Sequence, residues 1–249
     1  MKRDEARRGY ALIRALGVTA LALLMLVSIA GVKPFAYRFA YIIHPSNNNV
    51  SIIDTATNTV TYTINVGNFP LGVAVTSDET KVYVVNGNDS TVSVVDTSTN
   101  TVTATALVGS NPHGIAVLSD GSKIYVANQK SNSVSVIDTV TNTVTSTVPV
   151  GKWPWGVAVT PDGTKVYVAN SLSNTTSVIN TKTNTVTTTI TVGTKQDAVA
   201  VTPDGKMVYV VNGVGTVSVI DTETNKIKAT VKVGYSPFIL GQFIEEPAK

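Results

Sequence analysis

Val82-Tyr83-Val84-Val85-Asn86, a polar loop, Thr91 to Asp96, a turn through Asn100, Thr101 to Val108, Gly109, a short loop, His113 to Val117 and the turn Ser119-Asp120-Gly121-Ser122: this passage decides the fold. It contains four short segments rich in Val, Ile and Thr, each bounded by turn residues, and such segments favour the pleated, half-buried surface of a sheet over a helix. The passage recurs. Tyr41, Tyr83, Tyr125, Tyr167 and Tyr209 stand 42 residues apart, and Gly67, Gly109, Gly151, Gly193 and Gly234 follow at steps of 42, 42, 42 and 41. Asp54, Asp96, Asp138, Asn180 and Asp221 keep the same step. A fixed period of this length marks a repeat architecture.

The turns carry their own chemistry. Asp120-Gly121, Asp162-Gly163 and Asp204-Gly205 offer the positive φ of a tight hairpin, and Asp96-Thr97 and its equivalents suit a side-chain-capped turn. The four segments also grade in polarity. Gly114-Ile115-Ala116-Val117 is apolar on both faces, whereas Thr101-Val102-Thr103-Ala104-Thr105 alternates. A blade stacked between neighbours and exposed only at its rim has that gradient. The first copy opens at Ala36 to Ile43 with the second strand of a unit, and Phe238 to Ile244 supplies a first strand. Pairing the two leaves no open edge. The expected fold is all-β: a β-propeller of five four-stranded blades, one closed by the N- and C-terminal strands and preceded by an N-terminal apolar helix.

Val82-Tyr83-Val84-Val85-Asn86, Ile124-Tyr125-Val126-Ala127-Asn128 and Val166-Tyr167-Val168-Ala169-Asn170 resemble the Tyr-Val-Thr-Asn motif of the YVTN-repeat β-propellers, and the Val-Ile-Asp-Thr and Thr-Pro-Asp-Gly elements downstream match as well. The resemblance covers residues 36–244. It implies similarity to archaeal surface-layer and bacterial secreted propellers, which share no single reaction. Those propellers often have seven blades, so a count of five departs from the common pattern.

Composition narrows the function. With 14% charged and 43% hydrophobic residues the chain is suited to a packed core. It has no cysteine, which excludes thiolate chemistry and disulfides. The net charge of +3 comes entirely from residues 1–14, where Lys2, Arg3, Arg7, Arg8 and Arg14 face Asp4 and Glu5. The rest is neutral, so it lacks the basic stripe that nucleic acid requires. Ala15 to Val32 is uncharged and mainly apolar, and 18 helical residues reach about 27 Å. Basic residues ahead of it place the N-terminus inside and the remainder outside. Residues 1–35 thus read as a signal anchor held in the membrane through 15–32, or as a signal peptide cut after Ala30, with 36–249 as the exported propeller. The location expected is extracellular, cell-surface or periplasmic.

Comparing copies separates the positions that repeat from those that differ. One variable loop reads Asn68-Phe69-Pro70-Leu71, Ser110-Asn111-Pro112-His113, Lys152-Trp153-Pro154-Trp155, Thr194-Lys195-Gln196-Asp197 and Tyr235-Ser236-Pro237-Phe238. In a propeller it opens on the axial entrance. Phe69, His113, Lys152, Trp153, Trp155, Lys195, Asp197, Tyr235 and Phe238 are therefore the candidate ligand-binding residues, with aromatics to stack on a sugar or peptide and charges to orient it. Equally, Phe69, Trp153, Trp155 and Phe238 plug the end of a narrow channel. A second variable loop, His44 to Asn49 and its equivalents, reads as polar and solvated on the same face. No catalytic residue, metal site or cofactor is assigned: two histidines offer no metal-ligand set, and most aspartates sit in turns. The reading is a non-enzymatic interaction or structural module, partnered by a surface protein or polysaccharide. The alternative is a small molecule or cofactor, bound and possibly transformed at the axial mouth.

Overall fold

Val, Ile and Thr at every second or third position, punctuated by Asn, Asp and Gly, give each copy of the unit one antiparallel meander. The computed structural model describes residues 39–235 and Pro237. The first sheet contains β1 (Phe39–His44), β2 (Asn49–Asp54) and β3 (Thr59–Asn65). Four four-stranded sheets follow: β4 (Pro70–Val75) to β7 (Thr101–Leu107) through β5 (Lys81–Asn86) and β6 (Thr91–Asp96); then β8 (Pro112–Val117), β9 (Lys123–Asn128), β10 (Ser133–Asp138) and β11 (Thr143–Pro149). Next come β12 (Pro154–Val159), β13 (Lys165–Asn170), β14 (Thr175–Asn180) and β15 (Thr185–Thr191), and last β16 (Gln196–Val201), β17 (Met207–Asn212), β18 (Thr216–Asp221) and β19 (Lys226–Lys232). The chain is all-β in this region, as its repeat requires. β1 occupies the place of a second strand, like β5 and β9. The apolar segment 15–32 and the closing strand 238–244 lie outside the described residues.

The expected turn conformations are present. Gly121, Gly163 and Gly205 have φ of +76°, +69° and +71°, which a side chain adopts only under strain. Asp96 caps its turn by accepting from the backbone N–H of Ser98 at 2.9 Å and of Thr99 at 3.0 Å. Asn100, Asn142, Asn184 and Asn225 close the same hairpin at φ between +53° and +56°.

Burial follows the polarity gradient. In β9 Ile124, Tyr125, Val126 and Ala127 are fully buried, whereas β11 alternates exposed Thr143, Thr145 and Thr147 with half-buried Val144 and Ser146 and buried Val148. The cores lie between blades. One cluster joins Val50, Ile52 and Ile64 to Val82, Val84 and Val95; three more join each following pair of sheets. Removing a Val or Ile side chain from water contributes about 1.5–3 kcal/mol, so adjacent blades stabilise one another chiefly through these faces.

Polar bonds lock the same interfaces in register. Tyr83 donates its hydroxyl to Asn142 Oδ1 at 2.8 Å, Tyr125 to Asn184 Oδ1 at 3.1 Å and Tyr167 to Asn225 Oδ1 at 2.8 Å. Each bond runs to the hairpin of the next blade. Beside them Lys123 Nζ donates to Thr181 O at 2.9 Å, and Lys81 and Lys165 reach Thr139 O and Thr222 O in the same manner. The last blade departs from this pattern: Met207 replaces the lysine, Tyr209 is half-buried and β19 is exposed along its whole length.

Candidate axial site

The inner strands β4, β8, β12 and β16 face a shared space, with β1 on the remaining described side. That space is a cavity of about 1370 Å³. Its entrance is shaped by a repeated irregularity in strand pairing. Pro70 pairs with Asn86 but Gly72 with Val85, so Leu71 has no partner opposite it. His113 and Gly114 are skipped between Pro112 and Ile115, Trp155 and Gly156 between Pro154 and Val157, and Asp197 between Gln196 and Ala198. A bulge of this kind releases a residue from the ladder and re-aims its side chain. The four of these six residues that carry side chains, Leu71, His113, Trp155 and Asp197, line the cavity, as do the two glycines.

Glycine at the bulge permits close approach between blades. A Cβ on Gly114 would stand 2.1 Å from the carbonyl oxygen of Trp155, and one on Gly72 would stand 2.6 Å from that of His113. The released residues are consequently drawn together across blade boundaries. The rings of His113 and Trp155 lie with centroids 4.0 Å apart at 42°. Burial lowers the His113 pKa to about 4, so the imidazole is neutral near pH 7. Trp155 Nε1 is buried with no hydrogen-bond acceptor among the described residues. Asp197 is half-buried, and its pKa is raised by burial against the opposing pull of Lys195.

Asp197 differs from its fellows. Asp78, Asp89, Asp96, Asp120, Asp138, Asp162, Asp204 and Asp221 each accept hydrogen bonds that lower their pKa values, and Asp54 accepts from the N–H of Ala56 at 2.8 Å. Their own turns account for eight of those nine, and the neighbouring loop, through Asn68, accounts for Asp89. Asp197 accepts none among the described residues.

The inter-blade loop behind the bulge is held from two sides. Asn86 Oδ1 accepts from Gly67 N at 3.1 Å, while its Nδ2 donates to Thr91 Oγ1 at 3.0 Å and Ser93 Oγ at 2.9 Å. Asn128, Asn170 and Asn212 repeat the Nδ2 bonds, and a Cβ at Gly109 would meet Asn128 Cγ at 2.7 Å, which explains the recurrent glycine. The second variable loop supplies the other brace, although its composition suggests mere solvation. Asp89 accepts from Asn68 N at 2.7 Å, Ser131 Oγ from Ser110 N at 2.7 Å, and Ser173 Oγ from Lys152 N at 2.6 Å. Asn48 and Asn132 each accept at 2.9 Å from the N–H of Phe69 and Trp153. These bonds hold Phe69 and Trp153 at φ +57°, a costly conformation for bulky residues.

Of the nine candidate residues, His113, Trp155 and Asp197 line the cavity, together with Leu71 from the same level. Phe69, Lys152 and Lys195 are exposed on the rim and Trp153 is half-buried there. Tyr235 is 99% exposed and stands apart from the cavity wall. Phe238 lies outside the described residues. Leu71 is not among the nine candidates and joins them because it occupies the repeat position of His113, Trp155 and Asp197. Among the described residues no group of histidine and carboxylate side chains is arranged to hold a metal ion.

A family model described as YNCE-like beta-propeller matches residues 73–165, 100–196 and 158–245. Among solved structures, hydrazine synthase of Kuenenia stuttgartiensis is similar at 30% identity and a TM-score of 0.64, over 66% of this chain and 49% of that one. This chain therefore spans about half the length of that relative. A functionally unknown protein from Desulfotomaculum acetoxidans DSM 771 shares the fold at 18% identity and a TM-score of 0.73, over 81% of this chain and 68% of that one. No curated protein matches the sequence.

Proposed function

The chain belongs to the YNCE-like β-propeller family, and from that premise we propose that it is an exported, non-enzymatic interaction module whose recognition site is the axial mouth. One observation carries the reading. The four residues that the bulges release into the cavity, Leu71, His113, Trp155 and Asp197, occupy a single repeat position yet differ in every blade, amid strands that are otherwise near copies. Identical folding demands on four blades favour identical residues; four different side chains at one level favour an asymmetric ligand. An apolar wall with a few convergent polar groups is the usual character of a small-molecule site.

The basic residues before the apolar run Ala15 to Val32 support export, with the propeller at the cell surface or in the periplasm. Five blades, with the strand 238–244 completing the first, is the ring we propose. The rim loops, braced by hydrogen bonds, would then present a rigid face to a surface protein or polysaccharide.

The test uses the full chain purified in detergent. Small molecules are screened by thermal stabilisation against the parent and against a variant carrying His113→Ala, Trp155→Ala and Asp197→Ala. Ligands that raise the parent's unfolding temperature, and leave the folded variant unaffected, establish the mouth as the site. Ligands that stabilise both equally place recognition elsewhere and overturn the reading.

A further inference from the structure

We infer that the axial mouth takes a small primary amine with an apolar or aromatic body, its ammonium on the Asp197 carboxylate and its body against Trp155, His113 and Leu71. This rests on the proposed binding role of the mouth. The argument begins with Asp197 as the exception among ten aspartates of the described residues: eight accept hydrogen bonds within their own turns, Asp89 accepts them from Asn68 of the neighbouring loop, and Asp197 accepts none. Its bulge removes it from the strand ladder and directs it to the cavity wall. Burying a carboxylate carries a penalty unless donors surround it, so a half-buried carboxylate without a donor favours a ligand that brings one.

The neighbours select the rest of the ligand. Trp155 and His113 form a contiguous ring pair at 4.0 Å, the imidazole is neutral, and Leu71 continues the apolar wall at the same level. A face of aromatic rings attracts cations and packs hydrocarbon. The cation nearest to Asp197 in sequence, Lys195, is exposed on the rim and interacts with Asp197 only through charge. An entering ammonium replaces it as the close partner.

Three probes of one shape separate the possibilities: phenethylamine as the cation, 2-phenylethanol as the neutral form and 3-phenylpropanoate as the anion, titrated calorimetrically into the full chain. The expected order is amine over alcohol by about tenfold, with the acid weakest. Asp197→Asn keeps the size, removes the charge and reduces the amine to the level of the alcohol, whose affinity is unchanged. Lys195→Gln removes the competing cation and tightens the amine. If the alcohol binds, loses its site in Trp155→Ala and is not exceeded by the amine, the mouth is a site and the amine inference is overturned. Failure of all three probes overturns the amine inference and leaves the axial reading to the wider screen, whereas binding that survives Trp155→Ala overturns both.

Discussion

Two levels of the same blades obey opposite rules. Towards the hairpins, Tyr83, Tyr125 and Tyr167 are fully buried, and each donates to an asparagine in the hairpin of the following blade. At the mouth, Leu71, His113, Trp155 and Asp197 share a repeat position but no common chemistry. The lock level solves one packing problem repeatedly, so one residue serves. The mouth is released from strand pairing by the bulges and from that uniformity with it. The comparison predicts that substitutions at the lock change stability and that substitutions at the released positions change binding.

The largest effect falls where the two rules meet. Gly114 belongs to the mouth in position and to the scaffold in purpose, because a Cβ there would stand 2.1 Å from Trp155 O, which is backbone and cannot swing away. Gly114→Val should cost about 3 kcal/mol or more in urea unfolding, whereas Gly156→Ala, whose Cβ would stand 3.1 Å from Val199 N, should cost about 1 kcal/mol. Equal costs would mean that the blades shift freely and that the mouth is not a rigid frame.

His113 gives the next largest effect, and it appears as a pH dependence. Its folded pKa, lowered by burial to about 4, lies below the ordinary value of 6.5, so the unfolded state binds more protons between those limits. Stability contributed by the neutral ring is complete above pH 6.5 and is lost as pH falls towards 4, by up to about 1.4 kcal/mol per pH unit. Asp197, with its raised pKa, opposes this slope just above the ordinary carboxylate range. Comparing urea unfolding of the parent with His113→Leu across this range isolates the histidine. The difference between the two should shrink with falling pH, and a constant difference would show that the ring is solvated.

The locks come third. Asn128 is fully buried, and both of its Nδ2 bonds end on buried serines, so Asn128→Ala should cost about 2 kcal/mol. Tyr125→Phe removes one hydroxyl donor from Asn184 and should cost about 1 kcal/mol. Equivalent changes in the other blades should cost alike, Tyr83→Phe matching Tyr125→Phe. By contrast Tyr209→Phe, at a half-buried tyrosine in the last blade, should cost measurably less by thermal unfolding.

These locks also show how far the sequence could be read. Tyr83, Tyr125 and Tyr167 stood out because copies of one chain reveal which positions repeat, and the 42-residue period gave the strands nearly to the residue. A period does not reveal which repeated positions touch. Tyr83 meets Asn142 across 59 residues, an offset that depends on blade stacking and not on any local pattern. The same reason hid the second loop's role as a brace: Asp89 and Ser131 are ordinary loop residues until the neighbouring loop is laid beside them. At the mouth, Trp153 and Trp155 were indistinguishable in sequence, being separated by a single proline. The backbone separates them, because Trp153 takes a left-handed conformation on the rim while Trp155 enters the bulge and reaches the cavity wall.

Asp197→Leu should have the smallest effect on folding and is the sharpest test of the comparison. Leucine is the residue that the first complete blade carries at this level, so the change makes one blade resemble another where the fold tolerates either. Burial raises the pKa of Asp197, which means that folding disfavours its charged form: the group costs stability above its folded pKa and costs nothing once both states are protonated. Removing it should therefore leave acid stability unchanged and raise stability at neutral pH slightly, by about 0.5 kcal/mol. A scaffold residue would not behave in this way. If urea unfolding at neutral pH shows a clear loss, Asp197 belongs to the locks after all; if stability holds while the amine probe no longer binds, the carboxylate is retained for the ligand at the expense of the fold.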